Sequence, residues 1–525
     1  MIKEEIKKSL LNSIKSLQKK GVFEKFEIPK ISVESSNEES HGDYSTNVCF
    51  KLSKILRKNP KEIAEELSKE IKSGLFERVE PFNGFVNFFV SKKYFQKQVK
   101  DILKQKNKFG SLKVGKNKKI NVEFISANPT GPLTLGNGRG GFYGDVLANI
   151  LNKAGFNAKK EYYINDRGEQ IIKLGHSIIG DEQAVYKGKY IDDLRKKIKE
   201  KDIKESGEKA VQIILKEMIK PSVKKMGIKF DKWFSEKELY ENKEVEKTLD
   251  FLKNKGLSYE KDNALWFKST NFGDDKDRVL IKESKEKTYL SSDIAYLQNK
   301  FKRGFKKNIF FWGADHYGYI ERIKSAAEAL GHKKEDVVVI TMQLVRLFEN
   351  KKEVKMSKRM GTYITIDELI GEVGLDASRF FFLMRNAGSH LNFDMNLAKE
   401  KSEKNPVYYA QYAYARICSI FKKAKGLKPL ALNLKLLNHQ SEINLIKKLL
   451  EFPEIIKDTA EDYQVQRLPQ YAVELADSFH KFYENCRVIC ESRGLSESRL
   501  ALAQSAKIVF KNTFDLMGIS APEKM

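Results

Sequence analysis

Two segments of this 525-residue chain gather residue types that handle phosphate. The first, SANPTGPLTLGNGRGG (126–141), stands between a strand candidate, NVEFIS, and an amphipathic helix candidate, FYGDVLANILNKAG. A Gly-rich loop at that junction exposes backbone N–H groups at a positive helix terminus, which suits an anion. It matches neither GxGxxG nor GxxxxGK[ST], so taken alone it fits a phosphate cradle or a merely tight turn. The second, KKEVKMSKRMGTYITIDEL (351–369), places Lys355 and Lys358 around Met356 and Ser357, with Arg359 and Gly361 following. A short basic loop with glycine freedom can close over a polyphosphate and neutralise charge that develops during displacement. The competing reading is a solvated Lys-rich loop.

Such loops need a scaffold, and the surrounding pattern supplies one. Phe142, Val146 and Ile150 mark the buried stripe of the helix after the first loop. KKEYYIND reads as the next strand, and KNIFFWGAD, YIERIKSAAEALG and DVVVITMQLV continue the alternation. Strand–loop–helix–strand order predicts a parallel, Rossmann-type α/β sheet. Residues 1–112 read as a small α+β domain. In it IKEEIKKSLLNSIKSLQKK and NPKEIAEELSKEIKSG are amphipathic helices and NGFVNFFVS is a strand. KNKFGSLKVGKNKK (106–119) reads as a linker, residues 180–260 as a charged, mostly helical insertion, and the chain from about 405 as helical. The expected division is 1–112, a catalytic domain over 113–385, and an all-α helical bundle over 386–525.

Composition narrows the class. With 97 basic and 71 acidic side chains the formal charge is +26, which draws polyanions such as nucleic acid, although Lys-rich usage alone also raises it. The N-terminus shows no apolar leader segment and no stretch is long enough to span a bilayer, so a cytoplasmic protein without membrane contact is expected. Four cysteines are too few for a disulfide framework. Cys486 and Cys490 lack a second Cys/His pair at zinc spacing, so no metal site is expected.

Read together, the two loops resemble the two signature motifs of class I aminoacyl-tRNA synthetases, H-x-G-H and K-M-S-K, in that order. EFISANPTGPL, EYYINDRGEQI, WGADHYGYIERIKSAAEALG, VKMSKRMGTYITIDELI, VGLDASRFFFLMR, HLNFDMNLA and NPVYYAQYAYARICSI together resemble bacterial arginyl-tRNA synthetase over almost the whole chain. That resemblance implies a Rossmann catalytic domain with an insertion, an N-terminal domain meeting the tRNA elbow, and a helical anticodon-binding domain. It also implies the reaction. The arginine carboxylate attacks the α-phosphate of ATP with Mg²⁺ assistance, and the arginyl group then passes to the 2′-hydroxyl of the terminal adenosine of tRNA(Arg). A monomer is expected, with L-arginine and tRNA(Arg) as partners.

The resemblance also assigns residues. Glu123 and Asp293 supply acid near the substrate, and Ser126 and Asn128 hold its backbone end. Tyr289 shares a helical face with Asp293, and Asp315 and His316 lie at a strand's C-terminal end, where open α/β sheets bind ligands. ATP is expected along Pro129, Thr130, Gly131, Pro132, Leu133, Thr134, Gly136, Asn137 and Gly138, and at Met356, Ser357 and Lys358. Where the family's first signature has histidines this chain has Thr134 and Asn137, hydrogen-bonding groups that cannot become cations. Both are expected to act as neutral donors to phosphate, with Lys355 and Lys358 supplying charge. For tRNA, the resemblance points to Phe85 and Asn87 at the elbow and to Tyr409, Tyr412 and Arg416, spaced as one helical stripe, at the anticodon. Met525 joins that pocket. A nucleotidyltransferase without RNA and an inactive, RNA-binding paralogue are the rival readings.

Overall fold

The structure is a computed structural model that describes residues 1–36, 38–354 and 364–525. Its centre is a five-stranded, fully parallel sheet. The strands are β1 (Lys119–Glu123), β2 (Asn157–Ile164), β3 (Lys232–Ser235), β4 (Lys307–Gly313) and β5 (Val337–Met342), in the spatial order β5-β4-β1-β2-β3. The chain proceeds from β1 to one side through β2 and β3, then returns to β1's other edge with β4. The switch point therefore lies between β1 and β4, and the crevice at their C-terminal ends is where a sheet of this type holds ligands.

Both faces of β1 are covered, so its residues are buried in succession. On one face Phe124, just past the strand, meets α1 (Leu135–Lys153). A Cβ at Gly144 would stand 2.4 Å from the Phe124 ring, and one at Gly138 2.5 Å from Ile366, so these glycines let α1 pack close. On the other face Asn121 and Glu123 meet α2 (Tyr289–Lys302) through Lys300.

Around this core sit the flanking domains. The N-terminal one is a four-stranded antiparallel sheet, with Phe85–Val90 between Tyr44–Thr46 and Phe76–Phe82, packed with helices that include Ile2–Lys19 and Pro60–Glu70. Asn59 caps the second of these, its side chain accepting from Lys61 N at 3.0 Å. The C-terminal part contains the long helices Pro406–Lys423, Gln440–Asp462, Arg467–Asn485 and Arg493–Met517. No helix among the described residues is long and apolar enough to cross a membrane.

Three local expectations change. The stretch expected as a mostly helical insertion carries β3, an edge strand of the catalytic sheet, whose four residues are too few to show a period in the sequence. A three-stranded antiparallel sheet, over 258–261, 264–267 and 278–281, follows it. The expected linker 106–119 is packed structure, with Phe109 buried against Phe452 of the C-terminal helices. Leu391–Asp394, inside the stretch expected to be all-helical, is a strand pairing parallel with Val345–Glu349.

Candidate active site

At the switch point two cavities share a wall. The first, of ≈ 560 Å³, is lined by Glu123, Ser126, Asn128, Tyr289, Asp293, Asp315 and His316, so all seven residues assigned to arginine by the resemblance come together there. The second, of ≈ 740 Å³, is lined by Thr134, Gly136, Gly140, Gln343, Leu344 and Ile364. Ile125, Asn137, Trp312, Gly313 and Asp315 face both.

The first cavity is acidic, and its carboxylates differ in their partners. Glu123 is already committed: Lys300, fully buried, donates to its Oε2 at 2.6 Å, and the Ser126 hydroxyl donates to its Oε1 at 3.2 Å. Lys300 also donates to Asn121 Oδ1 at 2.6 Å. Behind it burial opposes ionisation of Glu161, but Arg303, at 2.6 and 2.8 Å, and the Lys300 charge overcome that and hold Glu161 down at about 2.

Among the described residues no cation forms such a pair with Asp293 or Glu236. Burial pushes Asp293 up to about 6, reinforced by the Glu123 charge and opposed by the Tyr319 hydroxyl, which donates to its Oδ2 at 2.6 Å. Burial raises Glu236 to about 7. The charges of Asp293 and Asp166 add to this, while the Ser292 hydroxyl and the Arg167 charge oppose it. With its amide oriented to suit its neighbours, Asn165 donates to Glu236 Oε2 at 2.8 Å. Two desolvated carboxylates in one cavity form a socket for a cation that brings several N–H donors, as a guanidinium does.

Glu236 and Tyr319 were not among the residues expected from the sequence. Tyr319 lies within the quoted WGADHYGY run, where its spacing from Asp315 was a usable signal. Glu236 follows the unrecognised strand β3, so nothing placed it at the crevice.

The first signature loop differs from expectation. Thr134 is the N-cap of α1, and it forms a reciprocal pair with Asn137. Thr134 N and its hydroxyl both donate to Asn137 Oδ1, at 3.0 and 2.9 Å, while Asn137 N donates to Thr134 Oγ1 at 3.5 Å. The Thr134 hydroxyl, expected as a donor to phosphate, thus spends its proton inside the loop. Asn137 keeps its NH₂ group uncommitted to this pair, at the wall both cavities share.

Of the other residues expected along ATP, Gly136 is exposed in the second cavity. Pro129, Thr130, Gly131, Leu133 and Gly138 are buried beneath the loop, and Pro132 is half-buried. Arg139 is fully buried and anchors α1 to the opposite rim, donating to the carbonyls of Gln343 and Asn386 at 2.8 Å each. Lys355, Met356, Ser357 and Lys358 lie outside the described residues. The segment after them pairs with the first loop, Ile366 N donating to Leu133 O at 3.0 Å beside a Thr134–Thr365 bridge.

The residues expected at tRNA lie on two surfaces. In the N-terminal domain Phe85 is 38% exposed, its ring edge-on to Phe50, whereas Asn87 is only 4% exposed and buried in the sheet. On helix Pro406–Lys423, Tyr409 donates to Asp477 Oδ1 at 2.8 Å. The Arg416 guanidinium stands 4.8 Å from the Tyr412 ring and 4.9 Å from the Tyr483 ring. Met525 is exposed at the C-terminus.

Comparison with known proteins covers the same ground from end to end. The models for the arginyl tRNA synthetase N-terminal domain, the class I (R) tRNA synthetase catalytic domain and the DALR anticodon binding domain match residues 2–90, 98–387 and 410–525. Arginine--tRNA ligase 1 of Halalkalibacterium halodurans is 42% identical, the alignment covering 100% of this chain and 99% of the relative. A crystal structure from Campylobacter jejuni, described as an arginyl t-RNA synthetase, is 34% identical with a TM-score of 0.77, covering 83% of this chain and 100% of its own. Thermus thermophilus arginyl-tRNA synthetase, at 20% identity and a TM-score of 0.79 over 100% of both chains, shares the fold.

Proposed function

That the chain belongs to the class I arginyl-tRNA synthetases is the premise from which we propose how its residues divide the reaction. The protein is an arginine–tRNA ligase that uses ATP to activate L-arginine and charges tRNA. In the proposed arrangement the guanidinium enters the acidic cavity and pairs with Asp293 and Glu236, with Tyr289 and His316 at its mouth. Tyr319 orients Asp293, and Lys300 holds Glu123 in place. The amino and carboxylate ends of the substrate then lie toward Ser126 and Asn128.

ATP occupies the second cavity as its Mg²⁺ complex, with Gly136 giving close backbone approach. Its α-phosphate lies at the shared wall, where the Asn137 NH₂ donates to the developing charge, and Lys355 and Lys358 neutralise the departing pyrophosphate. The arginine carboxylate oxygen bonds to the α-phosphorus as the bond to pyrophosphate breaks. In the second step the 2′-hydroxyl of the terminal adenosine displaces AMP from the arginyl carbonyl. Thr134 acts through Asn137: it holds the amide oxygen so that the NH₂ group faces phosphate.

For tRNA, Phe85 contacts the elbow, and Tyr409, Tyr412, Arg416 and Met525 contact the anticodon. Asn87, being buried, acts by supporting that strand. The proposed working unit is a monomer in the cytoplasm.

The observation that carries this division is the common wall: Asn137, whose side-chain NH₂ group lies outside its pair with Thr134, faces both a socket for a cationic side chain and a cavity at a helix N-terminus. ATP–pyrophosphate exchange with each standard amino acid, with and without tRNA, tests it. Arginine alone should support exchange, and tRNA should raise it. Exchange with another amino acid at comparable efficiency would defeat the assignment of the acidic cavity.

A further inference from the structure

Directly after β1 the backbone does something that side chains of this type resist. Ile125 has φ +67° and Ser126 φ +36°, two successive non-glycine residues in the left-handed region. For a β-branched residue that is a true outlier. Ser126 N donates to Phe124 O at 3.0 Å, closing a three-residue turn around Ile125, a γ-turn of the rare, positive-φ kind. No glycine or asparagine eases it.

The turn exchanges the two faces of the sheet. Along an extended strand, residues two apart share a face and residues three apart do not. Ile125 should therefore lie with Glu123 against α2, and Ser126 with Phe124 against α1. The opposite is found. The Ile125 side chain lies toward α1, where a Cβ on Gly141 would stand 3.0 Å from its Cδ1. The Ser126 hydroxyl reaches Glu123 Oε1 at 3.2 Å, and it accepts from Tyr163 N of β2 at 3.0 Å. The swap leaves the Ile125 side chain in the wall between the two cavities.

We propose that the Ile125–Ser126 turn is a strained positioning device for adenylation, with Ile125 as its positioning residue. This rests on the reading of the two cavities as arginine and ATP sites. The strain persists because the surrounding contacts over-determine it, as is characteristic of functional sites. What it achieves is to lock the Ser126 hydroxyl and the start of the Asn128 loop at a fixed height over the sheet. Ile125 meanwhile separates the guanidinium compartment from the phosphate compartment. The line of approach of the arginine carboxylate to the α-phosphorus is set by this turn, and a misplacement near 1 Å there is costly to rate.

The test compares Ile125→Gly, Ile125→Ala and Ile125→Val by chemical-denaturation midpoint, arginine Kd and single-turnover adenylation. At an ordinary φ, alanine is the more stabilising of the first two; at a positive φ the order reverses, because glycine alone adopts it freely. The expected result is a glycine variant with a midpoint equal to or above that of the alanine variant. Its adenylation should be slower than wild type by about tenfold or more, with arginine Kd changed less than about threefold. Ile125→Val, which keeps both the branch and the wall, should stay within about threefold of wild-type rate.

A role confined to stability would move midpoint and rate together, whereas this device separates them. An alanine variant more stable than the glycine variant would overturn the strain, and a glycine variant with wild-type adenylation would overturn its purpose. A wild-type chain without arginine-dependent exchange would instead defeat the reading of the cavities, which the stability order does not depend on.

Discussion

Asp293 and Glu236 make arginine binding pH-dependent in a calculable way. In the ligand-free cavity burial holds Asp293 at about 6, with the Glu123 charge adding to it, and Glu236 at about 7, with the Asp293 charge adding to it. A guanidinium favours the ionised forms, so binding expels whatever protons remain, and affinity falls as pH falls. For Asp293 alone the loss factor is one plus ten raised to the difference between its pKa and the pH. That is negligible at pH 7.5 and about tenfold at pH 5. Glu236 adds its own loss from pH 7 downward, so the slope of log Kd against pH should reach a magnitude of one at about pH 6.5 and exceed it below.

Titration calorimetry of arginine into the enzyme between pH 5 and 7.5 reads this directly, and two buffers of different ionisation enthalpy count the protons released. Asp293→Asn should weaken arginine at pH 7.5 by about 1–3 kcal/mol, leave ATP binding nearly unchanged, and flatten the pH profile. The sign for stability is opposite. A carboxyl whose pKa rises on folding, here from 3.8, costs the ligand-free protein stability as pH climbs from about 4 to 6, and that cost persists above. Ligand-free Asp293→Asn should therefore be at least as stable as wild type at pH 7.5. A flat Kd profile, or an Asn variant that binds arginine normally yet unfolds more easily, would refute the reasoning and make Asp293 a structural residue.

Three further outcomes follow from other parts of the molecule. Asn137→Ala removes the donor at the shared wall and should slow single-turnover adenylation by roughly 10²–10³-fold. Thr134→Ser keeps the cap and should stay near wild type, so equal defects in the two variants would return Thr134 to direct contact with phosphate. Gly144→Ala places a Cβ 2.4 Å from the Phe124 ring, and should lower stability by about 1–3 kcal/mol in a denaturant titration. Because formal charge is +26 and phosphate contacts release counterions, tRNA affinity by filter binding should fall about tenfold or more between 50 and 200 mM salt.

What the sequence made legible follows what each kind of signal measures. Hydrophobic period and Gly/Pro punctuation located β1, α1, β2, β4 and β5, and the order of strands and helices was enough for a parallel sheet. The cluster of Glu123, Ser126, Asn128, Tyr289, Asp293, Asp315 and His316 was assembled from the resemblance, because no period brings together residues from three separate segments.

Short elements escaped. Lys232–Ser235 earns its place by pairing with β2, a non-local fact, and Glu236 went unseen with it. The glycine-rich first segment fitted a phosphate cradle or a tight turn, yet Gly138 serves helix packing, since a missing side chain reads alike whether phosphate or Ile366 fills the space. The Thr134–Asn137 pair was open to a capping reading, as a short polar side chain three residues before another at a helix start. The swap of faces at Ile125 had no signal at all, because an isoleucine after a strand predicts only more strand.

The central claim is that this chain charges tRNA with arginine although its first signature reads TLGN. It is tested most directly by aminoacylation of tRNA(Arg) transcript with labelled arginine, followed to plateau with ATP and Mg²⁺, with lysine and citrulline in parallel reactions. Arginine should charge the transcript to near-stoichiometric plateau, and neither lysine, which lacks the planar fork, nor citrulline, which lacks the charge, should exceed background. An enzyme that binds the transcript but attaches no arginine would contradict it.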